Sequence, residues 1–320
     1  FPYTTGLILF AVGLLIGGLA PTMPILVIGR ALQGFGAGAV PALGYIVIGQ
    51  AFTETQRPRM FAWLSTAWVV PGLVGPALAE RVATHAHWRI VFLGLLPLVI
   101  VAGIFVVHAV RHLGPLGAVA ERAPFWRRRI VEAARVAGGA ALIVGGFNAG
   151  GWWILAGLIA GVAIGVGSLA RLTPDGTLRG RAGLPMIVLT RGLLTFAFFG
   201  TDTFVPFAIT DGRGRSTFSA SVAVTTFTVA WTAAAWVQQR YITQLGERLF
   251  VRLGFCIAVP AIALVMLGSS GALPYWMIHV GWTFAGSAMG FAYSALSQLL
   301  LRSTTTSEYG AATASLQLLD

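Results

Sequence analysis

The sequence predicts an all-α polytopic membrane protein. Of its 320 residues, 57% are hydrophobic and only 10% are charged, whereas a soluble domain carries about 25% charged residues. The apolar residues recur from end to end in blocks of roughly 20, the length of helix that a bilayer core requires. Transmembrane β-strands would alternate apolar and polar residues over about 10 positions. Runs such as 7–20 are apolar on every face, so we predict helices.

Ten complete spans follow when the chain is divided at its clusters of charge, proline and glycine. They cover residues 4–20, 25–50, 59–80, 89–110, 131–148, 152–170, 186–209, 217–239, 250–268 and 273–300, and a further helix begins near 308. The sequence has no initiator methionine, begins almost within a span and stops within one. We therefore interpret it as a fragment of a longer chain that lacks both ends.

The arginines predict the orientation in the membrane. The formal net charge is +11, and all 21 basic residues are arginine. Fifteen lie in one set of alternate loops and four in the other set, and arginine concentrates in cytoplasmic loops. The larger set is Arg57, Arg59, Arg111, Arg122, Arg127, Arg128, Arg129, Arg135, Arg171, Arg179, Arg181, Arg240, Arg248, Arg252 and Arg302. We therefore place the loops of Arg57, Arg127 and Arg248 in the cytoplasm, in a multi-pass plasma membrane protein. Charge dispersed over loops on one side of a bilayer does not indicate nucleic acid binding.

The sequence lacks the motifs of an enzyme or a metal centre. Cys256 is the single cysteine, so a CxxC pair is excluded, and neither an HExxH nor an HxxxxD motif occurs. A membrane enzyme would need such a cluster at the bilayer edge. We therefore expect no catalytic residue, no metal and no cofactor.

Arg30 is the first candidate functional residue, because an arginine inside a membrane helix costs about 2.5–3.5 kcal/mol on insertion scales. Gln33 and Gly34 follow at i+3 and i+4, on the same helix face. We interpret Arg30 and Gln33 as lining a polar pathway; the alternative is that Arg30 reaches to the extracellular interface. Gly34 and Gly38 predict close helix packing, since a dinucleotide-binding loop would need a preceding strand.

These residues carry a family resemblance. The run from Arg30 to Gly38 resembles motif B, the fourth-span motif of the major facilitator superfamily. One span later, Pro71, Gly72, Gly75 and Pro76 resemble the antiporter motif, motif C, although the glycine pair that usually follows is replaced by Ala79 and Glu80. The run Trp88-Arg-Ile-Val-Phe then resembles the start of the sixth span. The resemblance covers essentially the whole chain.

The resemblance implies a span count and a domain organisation. If Arg30 lies in span four, the ten spans are spans three to twelve of a fourteen-span drug:proton antiporter. Residues 1–112 would form the N-terminal bundle, 113–185 a cytoplasmic linker with two extra central helices, and 186–320 a truncated C-terminal bundle. In the second central helix, Gly157, Gly161 and Gly165 recur every fourth residue and predict a close helix contact. The antiporter motif would help to seal the protein against leak.

Asp202 is the second candidate. It lies in the first span of the C-terminal bundle, with Phe198 and Phe199 one turn earlier. An aromatic surround should favour the protonated carboxyl, which suits a group that takes up and releases protons. The alternative is an acid paired with Arg191, Arg213 or Arg215. Trp231 is a further candidate wall of a cavity for lipophilic cations.

The sequence therefore predicts a secondary active transporter, a monomer in the lipid bilayer that exports drug-like amphipathic compounds by alternating access. Protons and a small-molecule substrate are its expected partners, and the proton gradient takes the place of a cofactor. Two alternatives stay open: a facilitator-fold carrier for a metabolite or sugar, and a transport-inactive paralogue.

Overall fold

The structure, a computed structural model, describes residues 2–110, 126–305 and 308–320. Helices dominate this part of the chain, and no strand occurs in it. The α-helices are α1 (Pro2–Leu19), α2 (Met23–Ala51), α3 (Arg57–His85), α4 (Trp88–Leu93), α5 (Leu95–Val110), α6 (Trp126–Ala149), α7 (Trp153–Leu172), α8 (Leu184–Phe207), α9 (Thr217–Leu245), α10 (Glu247–Ser270), α11 (Trp276–Arg302) and α12 (Tyr309–Leu319). A 3-10 helix, Thr177–Arg179, precedes α8, and a π-helix, Ala208–Gly212, extends it.

The predicted all-α membrane fold is confirmed. Within the described ranges, seven helical segments are long and apolar enough to cross a bilayer: Trp88–Val106, Arg127–Ala149, Trp153–Leu172, Leu184–Gly212, Thr217–Leu245, Glu247–Ser270 and Trp276–Arg302. The segment Thr4–Leu19 is apolar but shorter. Each of the ten predicted spans falls on a helix, with α4 and α5 sharing the fourth. The number of bilayer crossings remains a prediction, as do the domain boundaries. The linker within 111–125 lies outside the described residues.

Proline and glycine set the helix boundaries. Pro24, Pro58 and Pro185 stand in the first two positions of α2, α3 and α8, where the missing N–H leaves no hydrogen bond unmade. Gly246 adopts φ 77° between α9 and α10, a backbone conformation that residues with a Cβ rarely adopt. It allows the chain to reverse between two long antiparallel helices.

Helix α11 is the centre of the C-terminal group of helices, because 72% of its most apolar stretch is buried. Glycines bring it close to its neighbours. A Cβ on Gly286 or Gly290 would clash with the backbone of α9 at Phe227 and Trp231. Such small residues let helix backbones approach closely in a membrane, where van der Waals packing drives association.

Helices α6 and α7 form a hairpin that packs chiefly against itself. Gly139 and Gly146 of α6 face Gly161 and Gly157 of α7, and a Cβ on any of these four would clash with the opposite helix. The first two glycines of the repeat thus lie on the hairpin interface, and the backbone of the third borders it, since a Cβ on Gly139 would stand 3.1 Å from Gly165 Cα. A Cβ on Gly165 itself would have room, since it would stand 3.9 Å from Gly139 Cα.

Candidate functional site

A buried arginine lies where two groups of helices meet, the N-terminal group α1–α5 and the C-terminal group α8–α12. Arg191 is the eighth residue of α8, and its side chain is completely inaccessible to solvent. Removing a guanidinium from water costs several kcal/mol, so its five N–H donors need partners inside the protein. The structure supplies them from three other helices.

Asp320, at the end of α12, is the charged partner. Arg191 donates from Nε to Asp320 Oδ1 and from Nη2 to Asp320 Oδ2, both at 2.8 Å. This two-point geometry is the strongest form of an arginine–carboxylate pair, because two parallel charge-assisted bonds form at once. The Asp320 side chain is only 11% exposed, so the pair is sequestered from solvent.

Helix α11 supplies the remaining contacts on the C-terminal side. Arg191 Nη1 donates to the Tyr293 carbonyl at 3.0 Å and to Ser297 Oγ at 2.8 Å. The guanidinium carbon also lies 3.1 Å from the centroid of the Tyr293 ring, where the ring face attracts a cation. Tyr293 in turn donates from its hydroxyl to Asp320 Oδ2 at 3.2 Å.

Tyr45 of α2 brings the N-terminal helices into this network. Arg191 Nη2 donates to the Tyr45 hydroxyl oxygen at 3.3 Å, and Tyr45 donates to the Tyr293 hydroxyl at 3.4 Å. We call Arg191, Asp320, Tyr293, Ser297 and Tyr45 the Arg191 cluster. It joins four helices, α2, α8, α11 and α12, and it crosses from one helical group to the other.

An apolar layer surrounds the Arg191 cluster and excludes water from it. Tyr45, Ile48 and Phe61 from α2 and α3 pack against α8, α11 and α12. The residues contributed by those three helices are Val188, Leu300, Leu301, Tyr309, Ala312 and Leu316. A low local dielectric strengthens the bonds that are made and raises the cost of any bond that is broken.

A second contact joins the two groups of helices, between α3 and α9. The indole Nε1 of Trp236 donates to Thr66 Oγ1 at 2.8 Å. The rings of Trp236 and Trp63 meet edge to face with centroids 5.2 Å apart, an arrangement worth roughly 0.5–1.5 kcal/mol beyond burial. Both inter-group contacts lie toward the helix ends that the arginine bias assigns to the cytoplasm.

The structure places Arg30 and Gln33 away from this cluster. Arg30 Nη1 donates to Gln33 Oε1 at 2.8 Å on the same face of α2, and the Arg30 guanidinium carbon lies 5.7 Å from the Phe92 ring centroid. Arg30 is exposed in the described structure. Arg30 and Gln33 therefore contact each other on one helix face, as the spacing predicts. Their role in a polar pathway stays a prediction.

Asp202 lies on α8, eleven residues beyond Arg191. Eleven residues are three helical turns and about 16 Å, so the two side chains leave the helix on nearly the same face. Asp202 is half-buried and has no hydrogen bond or ion pair within the described residues. The alternative pairing with Arg191 is not seen, since Arg191 pairs with Asp320. Its role as a proton carrier remains a prediction.

The aromatic candidates divide between the interior and the surface. Phe198 is buried, stacks on Trp282 with centroids 4.7 Å apart, and meets Trp231 edge to face at 5.6 Å. Phe199 is 42% exposed. Trp231 continues the chain of aromatic contacts to Tyr293 at 5.4 Å. A row of aromatic rings thus connects the vicinity of Asp202 with the Arg191 cluster.

The glycines of the family motifs are placed differently from each other. A Cβ on Gly34 or Gly38 would meet no atom within 4 Å. Close packing of α1 on α2 instead occurs at Gly29 and Gly36, whose Cβ atoms would clash with the α1 backbone. Packing at Gly34 and Gly38 therefore stays a prediction.

The antiporter motif residues Pro71, Gly72, Gly75 and Pro76 lie within the continuous helix α3. The side chains of the last three are outside the described residues.

Sequence reasoning identified Arg191 only as a possible partner of Asp202 and did not identify Asp320 or Tyr45. One signal was available. Arg191 interrupts the apolar run from Leu184 to Phe207, and an arginine in such a run implies a carboxylate elsewhere in the membrane. Periodicity cannot say which acid it is, because the partner is 129 residues away.

Comparison with curated proteins finds transporters of drugs. The chain is 25% identical to the multidrug transporter protein MdtP of Bacillus subtilis over 98% of its own length and 59% of that protein. It is 32% identical to the multidrug efflux pump SdrM of Staphylococcus aureus, over 32% of its own length and 23% of the pump. The chain thus spans only part of these relatives.

Comparison with solved structures finds the same architecture. The human organic anion transporter MFSD10 (TETRAN) matches 99% of the chain and 67% of its own length, with a TM-score of 0.71 and 16% identity. The proton:xylose symporter XylE matches 99% of the chain and 69% of its own length, with a TM-score of 0.66 and 14% identity. At these identities the likeness concerns the fold.

The family model described as Major Facilitator Superfamily matches residues 2–319. This match covers nearly the whole chain and agrees with the fold and with the sequence motifs. The chain belongs to the major facilitator superfamily, and it is a transporter component and not an enzyme.

Proposed function

We propose that this chain is part of a proton-coupled exporter of drug-like amphipathic compounds that works by alternating access. The observation that carries the proposal is the Arg191 cluster. It places a sequestered charge pair at the boundary between two helical groups, and α2 contacts that pair through a single tyrosine hydroxyl. Arg191 and Asp320 both belong to the C-terminal group, so the bond that can form in only one arrangement of the two groups is the one from Arg191 to Tyr45, and this bond is the proposed switch.

The Arg191 cluster would lock the transporter closed toward the cytoplasm. Opening on that side requires α2 to leave α12, which separates Tyr45 from Arg191 and exposes the apolar layer around them. Rearranging such an interface is a two-state event, since packed interfaces do not deform continuously. Substrate or protons that favour the open arrangement would shift the population by their differential affinity.

Asp202 is the proposed proton carrier. Its carboxylate has no polar partner in the described residues and lies three turns from Arg191 on one face of α8. An unpartnered acid within a span can be protonated without first breaking an ion pair. Protonation would remove a charge from the interior of the C-terminal group, and deprotonation toward the other side would restore it.

The aromatic row provides a surface for an amphipathic substrate. Trp231 lies between Phe198 and Tyr293 in this row, and its buried Nε1 has no hydrogen-bond acceptor in the described part of the protein. A donor of this kind is available to a bound compound. The names of the Bacillus and Staphylococcus relatives, a multidrug transporter and a multidrug efflux pump, agree with this substrate class.

The decisive experiment is dye export by the full-length protein in inverted membrane vesicles. Export should stop when an uncoupler collapses the proton gradient, and added dye should release protons from an energised vesicle. Export that continues after the uncoupler contradicts proton coupling. Xylose or another sugar that moves when dyes do not would favour the metabolite-carrier alternative.

A further inference from the structure

A groove on the surface between α3 and α9 contains two arginines without protein partners. It has a volume of about 700 Å³ and is lined by Arg59, Trp236, Val237, Gln239, Arg240 and Tyr241. Arg59 comes from one helical group and Arg240 from the other. Both are exposed, and neither forms a hydrogen bond or ion pair within the described residues.

The α3–α9 contact holds these two arginines in register. Arg59 precedes Trp63 by one helical turn on α3, and Arg240 follows Trp236 by one turn on α9. The two tryptophan rings contact each other with centroids 5.2 Å apart. Because the helices are antiparallel there, the turn before Trp63 and the turn after Trp236 lie at the same end of the contact.

Neighbouring charges are already used elsewhere, which leaves Arg59 and Arg240 available. Arg57, two residues before Arg59, donates to the Gly49 and Phe52 carbonyls at 2.6 and 3.1 Å. Glu247, the acid that begins α10, accepts a bond from Arg302 at 2.6 Å. An anion from outside the protein is therefore the natural partner of the two free guanidinium groups.

We propose that the groove binds the headgroup phosphate of an anionic phospholipid, which bridges Arg59 and Arg240. Arginine recognises phosphate with several parallel N–H donors. The tryptophan and tyrosine rings are of the kind that lie at the level of lipid headgroups. Exposed apolar side chains adjoin the arginines, with Trp63 at 51%, Val237 at 46% and Tyr241 at 42% exposure. Free phosphate would make no use of this apolar surface, whereas acyl chains would cover it.

A bridged phosphate would hold α3 and α9 together at their arginine-bearing ends. The lipid would then strengthen the arrangement of the two helical groups seen here, without touching the Arg191 cluster. This inference does not depend on the substrate or on proton coupling. It requires only that the groove lies at the cytoplasmic headgroup level, as the arginine bias predicts.

The test is native mass spectrometry of the purified full-length protein titrated with phosphatidylglycerol or phosphatidylcholine. Phosphatidylglycerol should show one tighter binding event than phosphatidylcholine. Arg59→Gln and Arg240→Gln should each weaken it by about fivefold, the equivalent of roughly 1 kcal/mol for each basic residue at a membrane surface. Arg252→Gln, at an exposed and unpaired arginine outside the groove, is the matched control and should bind as the wild type.

The double variant distinguishes a bridge from two independent charges. A phosphate held by both arginines predicts that Arg59→Gln combined with Arg240→Gln loses less than the product of the two single losses. Independent arginines predict multiplied losses, about 25-fold in all by the same surface-charge magnitude, and would overturn the proposal. It would also be overturned by single variants that behave as Arg252→Gln does. Displacement of the lipid by millimolar inorganic phosphate would assign the groove to free phosphate instead.

Discussion

Arg191 on α8 and Asp320 on α12 share two parallel hydrogen bonds of 2.8 Å, from Nε to Oδ1 and from Nη2 to Oδ2. Because the two residues belong to different helices, the pair fixes the position of α8 relative to α12. Tyr45 adds the third helix from the opposite group. The stability of the closed arrangement and the ease of opening it should therefore respond to different members of the cluster.

Replacing Asp320 should destabilise the protein strongly. Asp320→Asn leaves a buried guanidinium without a counter-charge, and breaking a buried pair costs about 3–5 kcal/mol. The thermal midpoint of the detergent-purified full-length protein should fall. Asp211→Asn, at an exposed acid, is the control and should leave the midpoint unchanged. Arg191→Met combined with Asp320→Leu should recover much of the midpoint while transport stays lost; a double variant that transports normally would contradict the switch role.

Tyr45→Phe should change conformation more than stability. It removes one 3.3 Å hydrogen bond, worth about 0.5–1.5 kcal/mol, while the arginine–aspartate pair remains. We expect faster maleimide labelling of a cysteine placed at the buried Ala312, in a Cys256→Ser background, because α2 leaves α12 more often. Tyr275→Phe, at a tyrosine outside both the Arg191 cluster and the α3–α9 groove whose hydroxyl makes no hydrogen bond in the described residues, is the matched control. Equal labelling rates in the two variants would argue against a lock at Tyr45.

Asp202→Asn should abolish proton-coupled export while leaving the protein folded in the membrane. The amide cannot cycle between a charged and a neutral form, and Asp202 makes no bond in the described structure whose loss would unfold α8. The measurement is dye-induced proton release in proteoliposomes, with Asp211→Asn as control. Normal release from Asp202→Asn would return this acid to a merely structural role.

Cysteine labelling tests the orientation. In the Cys256→Ser background, a cysteine at Gly214 should react with a membrane-impermeant maleimide in intact cells, and one at Ser303 should react only after permeabilisation. Both positions are exposed in connections at opposite ends of the helices. The reversed pattern would show that the arginine bias assigns the wrong side to the cytoplasm.

Glu308 provides a pH-dependent contribution outside the membrane-spanning segments. Its carboxylate accepts bonds from the Thr305 N–H at 3.1 Å and from the Thr305 hydroxyl at 2.8 Å, and these bonds hold the pKa of Glu308 below its ordinary value. A lowered folded-state pKa means that the stabilisation is present at neutral pH and is lost as the pH falls through that pKa. Glu308→Gln should therefore lower the thermal midpoint slightly at pH 7, and the difference from wild type should vanish in acid. A constant difference at all pH values would exclude this ionic contribution.

The sequence predicts the helices well because each apolar run has the length of a bilayer core and ends at proline, glycine or charge. Span boundaries such as Trp153 and Leu184 come within a few residues of the structure. Motifs B and C identify the family because each is a short run of neighbouring residues and the two follow each other along the chain.

Pairing between distant residues could not be predicted in the same way. Tyr45 is 146 residues from Arg191, and Asp320 is 129, so only the three-dimensional arrangement brings them together. The glycines show the same limit. Gly29 and Gly36 pack against α1, whereas Gly34 and Gly38 do not, because the rotation of α2 about its axis decides which of its glycines face the neighbouring helix.

The packing of α6 and α7 against each other has a consequence for the side of the membrane on which the later helices begin. Within the described residues, a hydrogen bond from Ser315 Oγ to the Leu172 carbonyl, at 3.1 Å, joins the hairpin to α12. Two crossings return the chain to the side from which it started. Excision of the whole hairpin would thus leave the sidedness of every later helix intact, whereas excision of α6 or α7 alone would invert it. An inserted pair is the smallest unit by which a fold of this kind can lengthen without turning half of itself upside down.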